Sequence, residues 1–342
     1  MFEASIGKPQ HHESLTLFPI LAQMDRDLEY LLMADALASG ALAISEKGSG
    51  EVPVLVARNA SPQSILVLDG EQLVGARQNR MTNRSILLPP MSTLEIPVSC
   101  MEHGRWHFVS DGFAPAPHHA PSKVRRKPRE TEVRVMRESA ARGLGERSSH
   151  QDLHMSQGEV WHEIREMSAN LGSESRTGAL DALYAPRRDS MERWIEAFSL
   201  LPLQVGLVAF LGNTPLGMDA VGSPGLFAPL HRRILTGYIL DAMEGLEEEA
   251  PALRKRRRAG TSAALQFVEA VRQAARTPSE SVGLGEYRIL HGSVLGGELV
   301  NQDHTVHLSA FPMGNGRSPG DRTEPGQEAQ PIARPSQRRR RF

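Results

Sequence analysis

Between Leu68 and Arg80 the chain reads LDGEQLVGARQNR, its densest polar run. Arg77 and Arg80 bracket two amides, Gln78 and Asn79, and each guanidinium fork can hold two oxygens of a phosphate or carboxylate. The block is therefore a candidate site for an anionic small molecule. The same residues also suit a salt-bridge network that ties a hairpin to a neighbouring strand. Asp69-Gly70 carries the signature of a tight hairpin turn, which leaves Glu71 as the carboxylate beside the arginines. A second polar run, PVSCMEHGRW from Pro97 to Trp106, supplies Glu102, His103 and Arg105 where a strand ends, and side chains at a sheet rim commonly point into a cleft. Hydrolysis of a bound ligand would use Glu71, Glu102 or Asp241 as general acid or base, with Arg77, Gln78, Asn79, Arg80 and Arg105 holding the anionic group.

Asp241 enters by helical arithmetic. At 100° per residue, Phe227, Leu230, Ile234 and Tyr238 form an apolar stripe, and Asp241 falls about 40° from Phe227 on the same side. A carboxylate there needs a partner, either an ion pair or a turn that it caps. Asp219 reads as a loop carboxylate near the start of that helix. Cys100, the single cysteine, shares a strand face with Val98 and reads as a buried, inert thiol. His150 and His154 have i, i+4 spacing without a following carboxylate or cysteine set, and His304 and His307 lie around a hairpin turn where they could face a cleft. The sequence assigns no metal and identifies no cofactor. It contains no phosphate loop, no GxGxxG after a strand and no GxSxG elbow.

The blocks from Leu68 to Glu71 (LDGE), Gly75 to Arg80 (GARQNR), Ser85 to Pro90 (SILLPP) and Ile96 to Trp106 (IPVSCMEHGRW) together resemble the ADP-ribosylglycohydrolase (ARG) and rhodanese-phosphatase-superfamily-associated protein domain family. So do Gln157 to Trp161 (QGEVW), Gln204 to Gly206, Tyr238-x-x-Asp-Ala242 and His307 to Phe311 in the second half. Met101 stands where the resemblance implies valine, and Leu211-Gly-Asn213 where it implies a fuller Asn-Gly-Lys turn. The family is named for the genes it accompanies. The resemblance implies a nucleotide-derived or sugar-phosphate ligand linked to NAD or ADP-ribose, and no particular reaction.

These residues must be held by elements. Up to Gly112, short Val/Ile/Leu-rich runs separated by turn residues predict strands over 41–45, 52–58, 64–68, 72–74, 85–88, 94–98 and 106–109, with one helix over 28–37. That β-rich part suits a sandwich or small barrel. Residues 113–156, rich in Pro, His, Arg and Ser, read as a mobile basic linker or insertion, and residues 312–342 as a disordered basic tail. Between them, 157–311 predicts helices packed on a small antiparallel sheet. Ser156-x-x-Glu159 and Asp189-x-x-Glu192 have capping-box spacing, a buried strand covers 203–211, and a long helix covers 226–246. A helix over 263–275 precedes strands over 287–290, 293–300 and 305–311. The fold class is α+β.

Thirty-nine basic and 40 acidic side chains among 342 residues give a formal charge of −1. The linker carries +4, the run Arg254 to Arg258 +5 and the tail +4, so the rest of the chain carries −14. This excludes a globally basic nucleic-acid binder and makes the arginines of 77–80 stand out in an acidic body. It also offers an acidic protein partner for the basic tail, in an alternative reading of the chain as a non-catalytic interaction module. One cysteine points to a reducing, cytoplasmic setting. Residues 1–13 lack the pattern of a secretory signal, and no apolar run is long enough to span a membrane.

Overall fold

Two strands whose apolar residues alternate carry the centre of the molecule. In Gln204–Leu211, Leu207 and Ala209 face one way and Val208 and Phe210 the other; in Leu15–Leu21, Leu15 and Leu17 oppose Phe18 and Ile20 in the same manner. A strand buried on both faces needs layers on both sides. The computed structural model, which describes residues 4–23, 28–48, 53–105, 108–144, 150–173, 175–248 and 258–314, supplies them. Its helices among these residues are α1 (Met33–Ala38), α2 (Ser122–Ala141), α3 (Gln157–Asn170), α4 (Arg188–Glu196), α5 (Pro224–Glu248) and α6 (Thr261–Gln273). Phe18, Val208 and Phe210 cluster with Phe267, Val268 and Val271 of α6. Leu17, Leu207 and Ala209 cluster with Phe227, Ile234 and Tyr238 of α5.

The sheet has nine strands. Its order runs Ser5–Ile6, Leu15–Leu21, Gln204–Leu211, Thr214–Val221, His304–Pro312, Val294–Asn301, Glu286–His291, Ala275–Ser279, with Gln10–His12 beside Leu15–Leu21. The hairpin between Val294–Asn301 and His304–Pro312 turns on Gln302 and Asp303, both at positive φ, as a two-residue turn requires. A six-stranded sheet of Phe113–His119, Glu71–Gly75, Arg80–Thr82, Ser92–Cys100, Val54–Asn59 and Leu42–Glu46 curls as a half barrel, and three short strands, Ile86–Leu88, Ile65–Val67 and Leu31–Leu32, form a third sheet. Leu42, Leu55, Ile65, Leu73, Ile96 and Val98 fill the core between these two sheets. The fold is α+β with a β-rich N-terminal half, as its patterning implies.

Several expectations change. The described residues of 113–156 are not a linker: Phe113–His119 pairs with Glu71–Gly75, and α2 buries Val124, Arg125, Arg129, Thr131, Glu132 and Met136. The segment looks polar because its buried face is charged, and its charges are satisfied by other charges instead of by water. Nor do the two halves separate near residue 112. Leu15–Leu21 pairs with Gln204–Leu211, and Met1–Pro312 packs as one unit. The helix expected over 28–37 is shortened to Met33–Ala38, because Leu31–Leu32 pairs with Ile65–Val67. Asp69-Gly70 makes a turn with Gly70 at φ +83°, but it joins strands of two different sheets and closes no hairpin. Neither capping box forms: Ser156 Oγ donates to Leu153 O, and α4 starts one residue before Asp189. Residues 108–110 form no strand, and Asp219 lies on a strand that sequence patterning missed. Trp106, Arg254–Arg257 and the tail from residue 315 fall outside the described residues.

Candidate functional site

The strand Thr214–Val221 lies beside His304–Pro312 with Asp219 opposite Ser309 and Val221 opposite His307. Alternation then sends Met218, Ala220, Leu308 and Ala310 toward α6, and Asp219, His307 and Ser309 to the other side. There they meet Asp69 from the turn before Glu71–Gly75, Arg125 from α2 and Tyr238 from α5. Arg125 Nη1 and Nη2 donate to Asp219 Oδ2 and Oδ1 at 2.9 and 2.6 Å, and Nη2 also donates to Asp69 Oδ1 at 2.9 Å. Tyr238 OH donates to Asp219 Oδ2 at 2.7 Å and Ser309 Oγ to Asp69 Oδ2 at 3.1 Å. Ser85 Oγ lies 2.6 Å from His307 Nδ1 and accepts from Asp69 N at 3.0 Å. His307 Nε2 stands 3.4 Å from Asp219 Oδ1, without hydrogen-bond geometry to any described atom.

Every one of these side chains is buried. Burial opposes ionisation of Asp219, yet the Arg125 guanidinium overrides it and holds the carboxyl well below its usual range; Asp69 is lowered in the same way. Burial likewise opposes the Arg125 charge, and the two aspartates raise it well above the ordinary arginine value. His119, packed against Gly70 and Arg125, is lowered to about 3 by burial and by Arg125, so its ring is neutral; neither ring nitrogen has a described hydrogen-bond partner. A second charged layer adjoins: Arg129 pairs with Glu132 at 2.7 Å, and Arg84 Nε donates to Glu132 Oε1 at 2.6 Å.

The residues singled out from the sequence fall into three places. Gln78, Asn79, Arg80, Glu102 and Arg105 come together in one network with Cys100. Arg105 donates to Glu102 Oε2 (2.8 Å), Ala76 O (2.9 Å), Gly75 O (3.3 Å) and Asn79 Oδ1 (3.0 Å). Arg80, fully buried, donates to Gln78 Oε1 at 3.0 Å and contacts Cys100 Sγ, and lies 3.5 Å from Glu46. Gln78 Nε2 donates to Glu102 O at 2.9 Å. Arg77 is half-buried. Glu71 accepts from Leu68 N at 2.9 Å and lies 3.5 Å from Arg233; burial raises its carboxyl above the usual range, against the pull of Arg233. Asp241 accepts the first free amides of α2, from Ser122 at 2.7 Å and Lys123 at 3.5 Å, and so caps that helix from α5. Sequence reasoning missed Arg125 altogether and assigned Asp69 to turn duty alone. Arg125, Arg129, Glu132 and Met136 lie at i, i+4, i+7 and i+11, a helical spacing that was present to be read.

The rim of the Pro97–Trp106 block does border a cleft. Gly104 N donates to Thr177 O at 2.7 Å and Leu180 N to Met101 O at 3.0 Å, stitching the block to residues 175–180. Beside this seam opens a cleft of about 830 Å³. His103 stands edge-on to Trp161 there, with 4.5 Å between ring centroids. Arg165 and Arg176 line it, both exposed and neither with an ion-pair partner among the described residues. No acidic side chain is among its described lining residues, and Ser168, Ser173, Ser175 and Thr177 add hydroxyl-bearing side chains. The charged centre around Asp219 does not line this cleft.

An α+β protein with a buried carboxylate, guanidinium and imidazole centre and a separate cationic cleft is the class that fold and site define. The chain belongs to the ARG and Rhodanese-Phosphatase-superfamily-associated Protein domain family, which it matches over residues 3–311. No curated protein and no solved structure matches it.

Proposed function

We propose that this protein binds an anionic nucleotide-derived or sugar-phosphate compound, of the ADP-ribose kind, in the cleft between His103 and Arg176. The observation that carries the reading is the pairing in one cleft of an aromatic edge with two exposed arginines that have no ion-pair partner among the described residues. A volume of about 830 Å³ lies within the range of small-molecule sites. Guanidinium forks match phosphate oxygens, and Trp161 and His103 offer ring surface to a base or sugar. The family name, with its link to ARG proteins, supports a ligand from ADP-ribose chemistry. Arg80, Glu102 and Arg105 are engaged with one another's neighbours next to the rim: Arg80 donates to Gln78, Gln78 to Glu102 O, and Arg105 to Glu102, Asn79 and the carbonyls of Gly75 and Ala76. Glu71, Glu102 and Asp241 do not line the cleft, so the reading is one of binding, and hydrolysis is not drawn from this geometry.

Calorimetric titration with ADP-ribose, NAD and ribose 5-phosphate tests it. Binding by at least one of them is expected, weakened roughly tenfold or more by the pair Arg165→Ala and Arg176→Ala at an unchanged melting temperature, since a charge-assisted contact is worth about 1.5–3 kcal/mol. No heat from any ligand, or equal affinity in the double variant, would sink the reading.

A further inference from the structure

We propose that Asp69, Asp219 and His307 hold a divalent first-row transition-metal ion. One ligand-capable atom of each lies within 4.8 Å of the others, and all three residues are buried. Three carboxylates and imidazoles in proximity do not make a site; here the way each is oriented does. Asp69 offers Oδ1 while Oδ2 is held by Ser309 Oγ, and Asp219 offers Oδ1 while Oδ2 is held by Tyr238 OH. His307 is fixed at Nδ1 by Ser85 Oγ at 2.6 Å, which turns Nε2 toward Asp219 Oδ1. Buried hydroxyls that orient the far atom of each ligand are the arrangement that metal-binding histidines and carboxylates require.

The second observation is His307 Nε2 itself. The ring is 2% exposed, and this nitrogen has no described hydrogen-bond partner although it stands 3.4 Å from a carboxylate oxygen. In the tautomer that carries its proton on Nδ1 and donates it to Ser85 Oγ, Nε2 presents a lone pair toward Asp219 Oδ1, an arrangement that a cation between them relieves. Arg125 does not exclude the ion. Its Nη2 takes one lone pair of each Oδ1, and a carboxylate oxygen has a second. Two carboxylates against one guanidinium also leave a negative charge at the centre. One imidazole nitrogen with two carboxylate oxygens favours Mn2+, Fe2+, Co2+ or Zn2+ over the all-oxygen preference of Ca2+ and Mg2+.

The test is to strip the full-length chain with a chelator and titrate it with Co2+, following ligand-field absorption, with parallel calorimetry for Mn2+ and Zn2+. One equivalent per chain and a raised melting temperature are expected. His307→Gln should abolish the equivalent, and Ser85→Ala, which leaves all three ligands in place, should weaken it about 10- to 100-fold. The pair His11→Ala and His12→Ala, far from the centre in sequence, should leave it unchanged. Should His307→Gln fail to fold, the Ser85→Ala comparison decides alone. Absence of any bound equivalent in the wild-type chain, binding that survives His307→Gln, or equal affinity in folded Ser85→Ala overturns the proposal and leaves the cluster as an ion pair closed by Arg125.

Discussion

Arg105 donates to two backbone carbonyls, an amide oxygen and a carboxylate, all within the block that carries the candidate ligand-binding residues. Removing it strands Glu102 in a buried position and opens the turn at Gly75–Ala76. Arg105→Ala should therefore cost roughly 3–5 kcal/mol in urea unfolding, the range for breaking a buried ion pair. Arg80→Ala should be similarly costly, because the fully buried guanidinium would leave Gln78 and Glu46 without their cation. Arg176→Ala, on an exposed residue, should stay within about 0.5 kcal/mol of the wild type. A folded, unaltered Arg105→Ala protein would show that the network is dispensable and return its arginines to the list of ligand contacts. From the sequence, the two uses of these arginines were equally legible, because residue type fixes what a guanidinium can bind and not which way it points.

The junction between α2 and α5 carries a pH dependence of its own. Asp241 is pushed up to about 7 by burial, with Lys123 opposing, although it accepts the first amides of α2. Its folded value lies above the unfolded one, so its contribution is fully present below about pH 4 and is lost as pH rises through about 7. Asp241→Asn, which keeps an acceptor oxygen for Ser122 N, should remove this loss: the wild-type-minus-variant stability should fall between about pH 4 and pH 7 and then level off, as read from urea midpoints. A difference that does not vary over that window rejects the account. At the turn that feeds Glu71–Gly75, Gly70 has φ +83°, and a Cβ there would stand 2.6 Å from the Arg125 side chain. Gly70→Ala should destabilise by more than the roughly 1 kcal/mol of backbone strain alone, since it also displaces the residue that bridges Asp69 and Asp219. Thermal unfolding of that variant measures it.

The nine-stranded sheet takes Leu15–Leu21 from the start of the chain and Gln204–Leu211 from its second half, and α2, from the segment between them, sits against both halves through Asp69 and Asp219. Residues 1–112 and 157–311, expressed separately, should each fail to give cooperative thermal unfolding, whereas the chain through Pro312 forms one unit. Two independently folded fragments would restore the division read from composition. Among the described residues no helix is long and apolar enough to cross a membrane.

Local alternation of Val, Ile and Leu determined most of the strands, and the 3.6-residue stripe from Phe227 to Tyr238 determined α5; these periodicities are properties of neighbouring residues and survive without any tertiary contact. The polar density at 68–80 and 97–106 marked the blocks that build the arginine network and the rim of the cleft. The helical spacing of α2 was in the sequence, but tertiary structure alone decided that this helix lies inside the core, since its buried face is written in Arg125, Arg129 and Glu132 and meets Asp69, Asp219 and Arg84 there. It alone brought positions 69, 125, 219 and 307 to one point. That convergence depends on strand order and on the register of Asp219 opposite Ser309, pairings between distant segments that local periodicity does not encode.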